Sequence, residues 1–259
     1  PKAEVTVYVS PKKLEEKVSV TLDTVSSNSD FSRKVLAAEL LKTEVSGEKT
    51  KSTTGTKTVG EKSKGTVKIQ NGTDTDVSIP QGTELLANNN LKFTTDQAAS
   101  VSAALSPSSP GTATVEATAS EIGAEFNLAK DEIFKVSNFS KSEVDATSLS
   151  DFTGGSSRQI SAVSEEDQRS LEEDLKNELL DKGKQKIIEG LSNDQFFLEN
   201  SSAATTSSIV FSNKVGDEAS TLKLTEELLV EALSVKKSIF FDFAKEILKD
   251  KVPSGYVLR

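Results

Sequence analysis

The chain has 259 residues, 31 Lys and Arg against 40 Asp and Glu for a net charge of −9, only 5% aromatics, and no His, Cys, Met or Trp. A Ser-His-Asp triad, a Cys-His pair and a thiolate or imidazole zinc site cannot be assembled from this set, and neither can a disulfide framework. Nucleic-acid binding needs a basic face to neutralise phosphate, and the acidic balance argues against it.

The length suits one large domain or two to three small ones. With 35% hydrophobic residues, the expected core is thin, built from Val, Ile, Leu, Ala and twelve Phe in sheets. Residues 3–22 alternate twice, as Val5, Val7, Val9 and then Val18, Val20, Leu22, on either side of Ser10-Pro11-Lys12-Lys13, which predicts two strands around a turn. Between Asp30 and Val45 two states stay open. Val35, Leu36, Ala37, Ala38, Leu40 and Leu41 suit a helix by propensity, whereas Leu41, Thr43 and Val45 run on into a Thr- and Lys-rich stretch that suits a strand. The reading leans to extended structure. From Lys49 to Lys68 six lysines, Lys49, Lys51, Lys57, Lys62, Lys64 and Lys68, outnumber Glu61. A strand edge guarded by Lys is the expectation there, and contact with an anionic glycan or lipid surface is the rival.

Thr66 to Ile69 and Val77 to Ile79 read as strands ended by Asn71-Gly72 and Pro80-Gln81-Gly82, whose residues supply the backbone angles of tight turns. Leu91-Lys92-Phe93 follows as a short strand, and Ser106 to Gly111 as a surface loop. Ala113, Val115, Ala117 and Ala119 then alternate with polar residues, and Ile133 to Val136 makes one more strand. The oxygens of Asn71, Thr73, Asp74 and Asp76 fit a polar hairpin turn better than a calcium loop, which carries more carboxylates and a closing bidentate Glu.

Helical periodicity starts at Ser164, where Glu165, Glu166 and Asp167 favour a helix start and Leu171, Leu175, Leu179, Ile187 and Leu191 form one stripe. A second helix is predicted from Lys236 to Lys251, with Phe240, Phe243, Ala244, Ile247 and Leu248 on one face, ended by Pro253-Ser254-Gly255. Between the helices, Thr221 to Thr225 alternates as a strand, and residues 225–235 suit either state.

The expected fold class is α+β: mainly antiparallel β, sandwich- or barrel-like, with a C-terminal helix-strand-helix unit. The expected division is an N-terminal β region at 1–60, a β core at 61–155 and an α+β unit with two amphipathic helices at 156–259. A chain without Met is expected to be part of a longer or processed product. No run approaches the ~20 apolar residues of a membrane helix.

Five segments in order resemble baseplate J-like proteins, a family of phage-tail wedge components with relatives in membrane-anchored bacterial proteins. They are Lys64 to Asn71, Val77 to Thr83, Phe93-Thr94-Thr95, Gly123-Ala124-Glu125-Phe126-Asn127, and Phe152-Thr153-Gly154-Gly155 followed by Glu165-Glu166-Asp167 and Arg169. The resemblance spans about residues 64 to 175. Ser156 to Val163 lengthens the spacing between Gly-Gly and the acidic residues, which looks more like the anchored bacterial relatives than a phage component. Lys251 to Tyr256 is also similar to those relatives, which continue further.

The resemblance implies a non-enzymatic structural or assembly module of a cell-surface or envelope complex, anchored by an upstream transmembrane segment. The alternatives are a baseplate wedge component of a phage tail or injection machine and, as a minor one, a carboxylate-based glycan hydrolase. No catalytic, cofactor-binding or metal-binding residue is assigned and no cofactor is expected. The expected partners are proteins, copies of this chain or other surface or baseplate components. No nucleic acid is expected, and a membrane only through the upstream anchor.

Overall fold

A computed structural model describes residues 13–254 together with Lys2, Val5, Tyr256 and Val257. The strands, in chain order, are β1 (Thr21–Asp23), β2 (Val35–Ala37), β3 (Glu39–Ser52), β4 (Gly55–Asn71), β5 (Val77–Ile79), β6 (Glu84–Ala87), β7 (Lys92–Thr95), β8 (Ala99–Val101), β9 (Gly111–Ile122), β10 (Ile133–Val136), β11 (Val144–Ser148) and β12 (Ser156–Ala162). Helix α1 (Glu165–Glu189) follows, then β13 (Gln195–Phe211), β14 (Thr221–Lys236) and helix α2 (Lys237–Leu248). The strands pair mainly antiparallel, so the α+β class holds. Two units are present: Thr53–Ser164 with Gly216–Ser220, and Pro1–Ser52 with Glu165–Val215 and Thr221–Arg259.

The first unit is a closed six-stranded antiparallel barrel in the order β11-β10-β6-β7-β9-β4, sealed by β4 pairing back onto β11 from Val67↔Ser148 to Asn71↔Val144. Of the two architectures open from sequence, barrel and sandwich, this one leaves no free edge around the ring. The alternation of each strand decides its orientation. Val67 and Ile69, Val115, Ala117 and Ala119, and Phe134 and Val136 are buried, while Glu116 and Lys135 between them are exposed.

Small inward residues at Ala117, Ala119 and Gly65 leave room for four phenylalanines, and the core is aromatic at its centre rather than thin throughout. Phe93 lies with its ring centroid 4.7 Å from Phe152, 5.4 Å from Phe134 and 5.7 Å from Phe126, all edge-on. Edge-to-face pairs contribute about 0.5–1.5 kcal/mol each beyond area burial. Gly65 is needed here because a Cβ would stand 2.7 Å from the Phe152 ring. β5 and β8 pair beside the barrel and bury Ile79 and Val101.

The N-terminal half of β4, Gly55 to Glu61, leaves the ring and pairs with β12, from Ser156↔Glu61 to Ala162↔Gly55. The residues between Gly-Gly and the acidic helix start are therefore a strand, and Gly154-Gly155 opens sheet rather than joining sheet to helix directly.

The second unit is a three-stranded antiparallel sheet, β13-β14-β3, with α1 across one face. Leu222, Leu224, Glu226, Leu228, Val230, Ala232 and Ser234 of β14 are all buried, so the alternation that starts at Thr221 runs through the whole strand and settles 225–235 as β. α1 buries Leu171, Leu175, Leu179 and Ile187 as expected, together with Asp167 and Gly183, but it ends at Glu189, so Leu191 falls outside the helix and is only half-buried. β3 confirms the extended reading of 39–45. Among the described residues, pairing begins at Thr21, where β1 lies parallel to β2, and Val18 and Val20 are in no strand. The strand expected over Val5, Val7 and Val9 lies largely outside the described residues. α2 matches the predicted second helix and buries Phe243, whose ring lies 5.6 Å from that of Phe31.

Candidate interaction surfaces

The motif residues of the barrel unit interlock with one another. Asn127 Nδ2 donates to the Gly155 carbonyl at 2.8 Å and the Gly155 N–H donates back to Asn127 Oδ1 at 2.8 Å. Gly154 sits at φ 87°, a left-handed conformation that favours glycine, and a Cβ on Gly155 would fall 2.3 Å from the Gly123 carbonyl oxygen. Thr153 exchanges two backbone hydrogen bonds with Lys64. These glycines let the 123–127 turn and the 152–155 segment pack against each other where β4 leaves the ring.

The polar turn after β4 is organised the same way. Asn71 is fully buried, its Nδ2 within hydrogen-bond distance of the carbonyls of Thr75, Val101 and Ser102, and its Oδ1 accepts from the Thr73 N–H and hydroxyl. Asp76 Oδ1 accepts from the Ala103 N–H at 2.9 Å. Asn71, Thr73 and Asp76 thus tie their oxygens to the loop as a turn does.

The six lysines counted between Lys49 and Lys68 divide between two strands and two units. Lys49 pairs with Glu178 of α1 and Lys51 donates to the Ser170 hydroxyl, so these two cross to a helix. Lys57, Lys62, Lys64 and Lys68 belong to β4, where Lys57 Nζ reaches the Gly216 carbonyl at 3.4 Å.

Surfaces of a different kind occur on the sheet-and-helix unit. Phe196, Phe240 and Phe241 cluster with ring centroids 5.2 to 6.1 Å apart, Phe241 is 52% exposed, and Lys237 Nζ lies 5.4 Å above the Phe196 ring. α2 and residues 14–20 enclose an apolar groove of about 890 Å³, lined among others by Leu14, Val18, Leu36, Phe243 and Ile247. The Lys251–Glu16 ion pair joins the C-terminal end of this region to the segment over it.

Beneath α1, Glu226 is wholly buried. Thr206 Oγ1 donates to its Oε1 at 3.1 Å, and Oε2 has no partner. Burial pushes its carboxyl above the usual range; Thr206 draws it down, and nearby Glu172 adds to the rise while Lys176 opposes it. By sequence, residues 225–235 suit either state and Glu226 is not singled out; the alternation from Leu222 and Leu224, carried on past Thr225, is the signal that could have found it.

No group of three or more His, Cys, Asp or Glu side chains that could hold a metal ion occurs among the described residues. No helix of the described residues is long and apolar enough to cross a membrane. A search of curated proteins finds no match. Residues 66–155, 90 of the 259, match the family model described as the Baseplate J-like protein barrel domain. These residues run from within β4 to Gly155 and include the other five strands of the closed barrel, so the match and the geometry together support the family that the motif order resembles.

Proposed function

We propose that this chain is a non-catalytic structural module that builds a cell-surface or envelope-associated complex, in the manner of the membrane-anchored relatives of baseplate J-like proteins. The observation that carries this reading is the barrel filled by its own Phe93, Phe126, Phe134 and Phe152, with the motif glycines Gly65 and Gly155 taken up by close packing inside it. Such a body is a rigid spacer whose useful surface is its outside. The strand-length spacer between Gly155 and Glu165 supports the anchored relatives over a tail component.

A second reading, a baseplate component of a contractile tail or injection machine, is favoured by the family description itself. Fractionating the native cells separates the two. Recovery in washed envelopes, with cleavage by protease added outside intact cells, supports the surface module. Recovery only in sedimentable particles that also contain sheath and tube proteins overturns it in favour of the second reading. Turnover of a glycan that is lost on one Glu or Asp substitution overturns both.

A further inference from the structure

The two outer strands of the β13-β14-β3 sheet are treated very differently by the sequence. β3 carries Glu39, Lys42, Glu44, Glu48, Lys49 and Lys51, the dense charge that keeps an edge from pairing with another chain. β13 carries nothing of the kind. From Asn200 to Ser212 the sequence is Asn-Ser-Ser-Ala-Ala-Thr-Thr-Ser-Ser-Ile-Val-Phe-Ser, without a charge or a proline, and rich in residues that favour strands. On one side it pairs with β14, and no other strand pairs with it among the described residues. Two register irregularities, between Leu198 and Ala203 and between Thr206 and Ser208, still leave Ala203–Thr206 and Ser208–Phe211 as regular runs. Val210 is 60% exposed and Ile209 40%, so apolar surface is left uncovered beside the open hydrogen-bonding edge.

We infer that the free edge of β13 pairs antiparallel with β13 of a second copy of this chain, joining two three-stranded sheets into one of six strands about a two-fold axis. Charge decides the partner and the direction. The uncharged run is bounded by Glu199 at one end and Lys214 at the other. In the antiparallel arrangement each Glu199 comes near the Lys214 end of the other copy, whereas a parallel one sets like charges side by side. A two-fold contact of this kind is self-complementary, so one unguarded edge suffices. Each copy supplies main-chain donors and acceptors that the other lacks, the mode by which extended segments add to sheets.

This inference deepens the structural-module reading and rests on it for its biological sense, but it is tested separately. The chain is measured by sedimentation equilibrium, with a Thr205→Lys/Ser207→Lys variant that puts guards on the edge at two exposed positions. Expected is a dimer that the two lysines weaken by about tenfold or more, because each lysine recurs near its own copy across the axis. Unchanged circular dichroism and thermal midpoint must accompany that loss. Should the lysines spoil folding, the near-native Thr205→Cys variant decides. The chain has no other cysteine. A nitroxide there must report a short distance between copies, and one at Lys51→Cys on the opposite edge a long one. A monomer at high concentration, or a dimer with short distances only at Lys51, overturns the inference. A monomer in the envelope sinks the pairing alone; a β13-paired dimer found in tail particles sinks the surface reading alone.

Discussion

Glu226 gives a measurable test of how the sheet-and-helix unit is held together. Its carboxylate is buried between Leu224 and Leu228 on the face that α1 covers, with Gly47 and Ile209 as its cross-strand neighbours. One oxygen has only the Thr206 hydroxyl and the other has nothing. A buried polar atom left unmet costs about 1–3 kcal/mol, and replacing a mispaired buried charge by a neutral group of like shape is neutral to stabilising. Glu226→Gln keeps the volume and removes the charge while one polar atom stays unmet in either side chain, so it should raise stability at pH 7.5 by ~1 kcal/mol, about 2–4 °C in midpoint for a body of this size.

The pH dependence carries the sharper test. The folded-state pKa of Glu226 lies above its unfolded value, so its contribution is complete below the unfolded pKa and is lost as pH rises through the folded one. The advantage of the glutamine variant therefore grows from pH 4 towards pH 8. Urea unfolding followed by far-UV circular dichroism across that range, with hydrogen exchange at β14 amides to assign the transition, reads both quantities. A variant no more stable at pH 7.5, or with an advantage constant in pH, refutes the reasoning.

Within the barrel, Gly65→Ala should lose about 1–3 kcal/mol because its methyl meets the Phe152 ring, and Phe152→Leu in the same chain should recover part of it in a double-mutant cycle of denaturant midpoints. Asn71→Ala should lose about 1–3 kcal/mol, since the carbonyls of Thr75, Val101 and Ser102 lose its amide, and exchange of the Thr73 amide should speed up.

Local patterns made much of this fold legible. Alternation at Ala113 to Ala119 and at Thr221 to Thr225 marked strands, and the leucine stripe from Leu171 marked α1 within a residue of its start. The order of glycine and asparagine motifs pointed to the family that the barrel match supports. Pairing between distant segments was not legible, because alternation fixes which face is buried but not which strand lies alongside. Nothing local tells that Val45 opposes Leu228, or that Val144 returns to Asn71 to seal a ring rather than face a second sheet. Ser156 to Ala162 escaped notice as a strand because five of its seven residues are polar and exposed. The helix-facing roles of Lys49 and Lys51 were hidden too, since a lysine can run its stem along a buried face and place only its tip at a partner.

The pairing of β3 with β14 has a consequence for synthesis. Ser52 pairs with Thr221, so β3 leaves the ribosome about 170 residues ahead of its partner, a wait of roughly 10–30 s at translation speeds of 5–20 residues per second. The barrel strands all emerge within that interval. The charges along β3 thus guard a nascent strand against the wrong neighbours while a whole barrel forms between it and the strand it is waiting for.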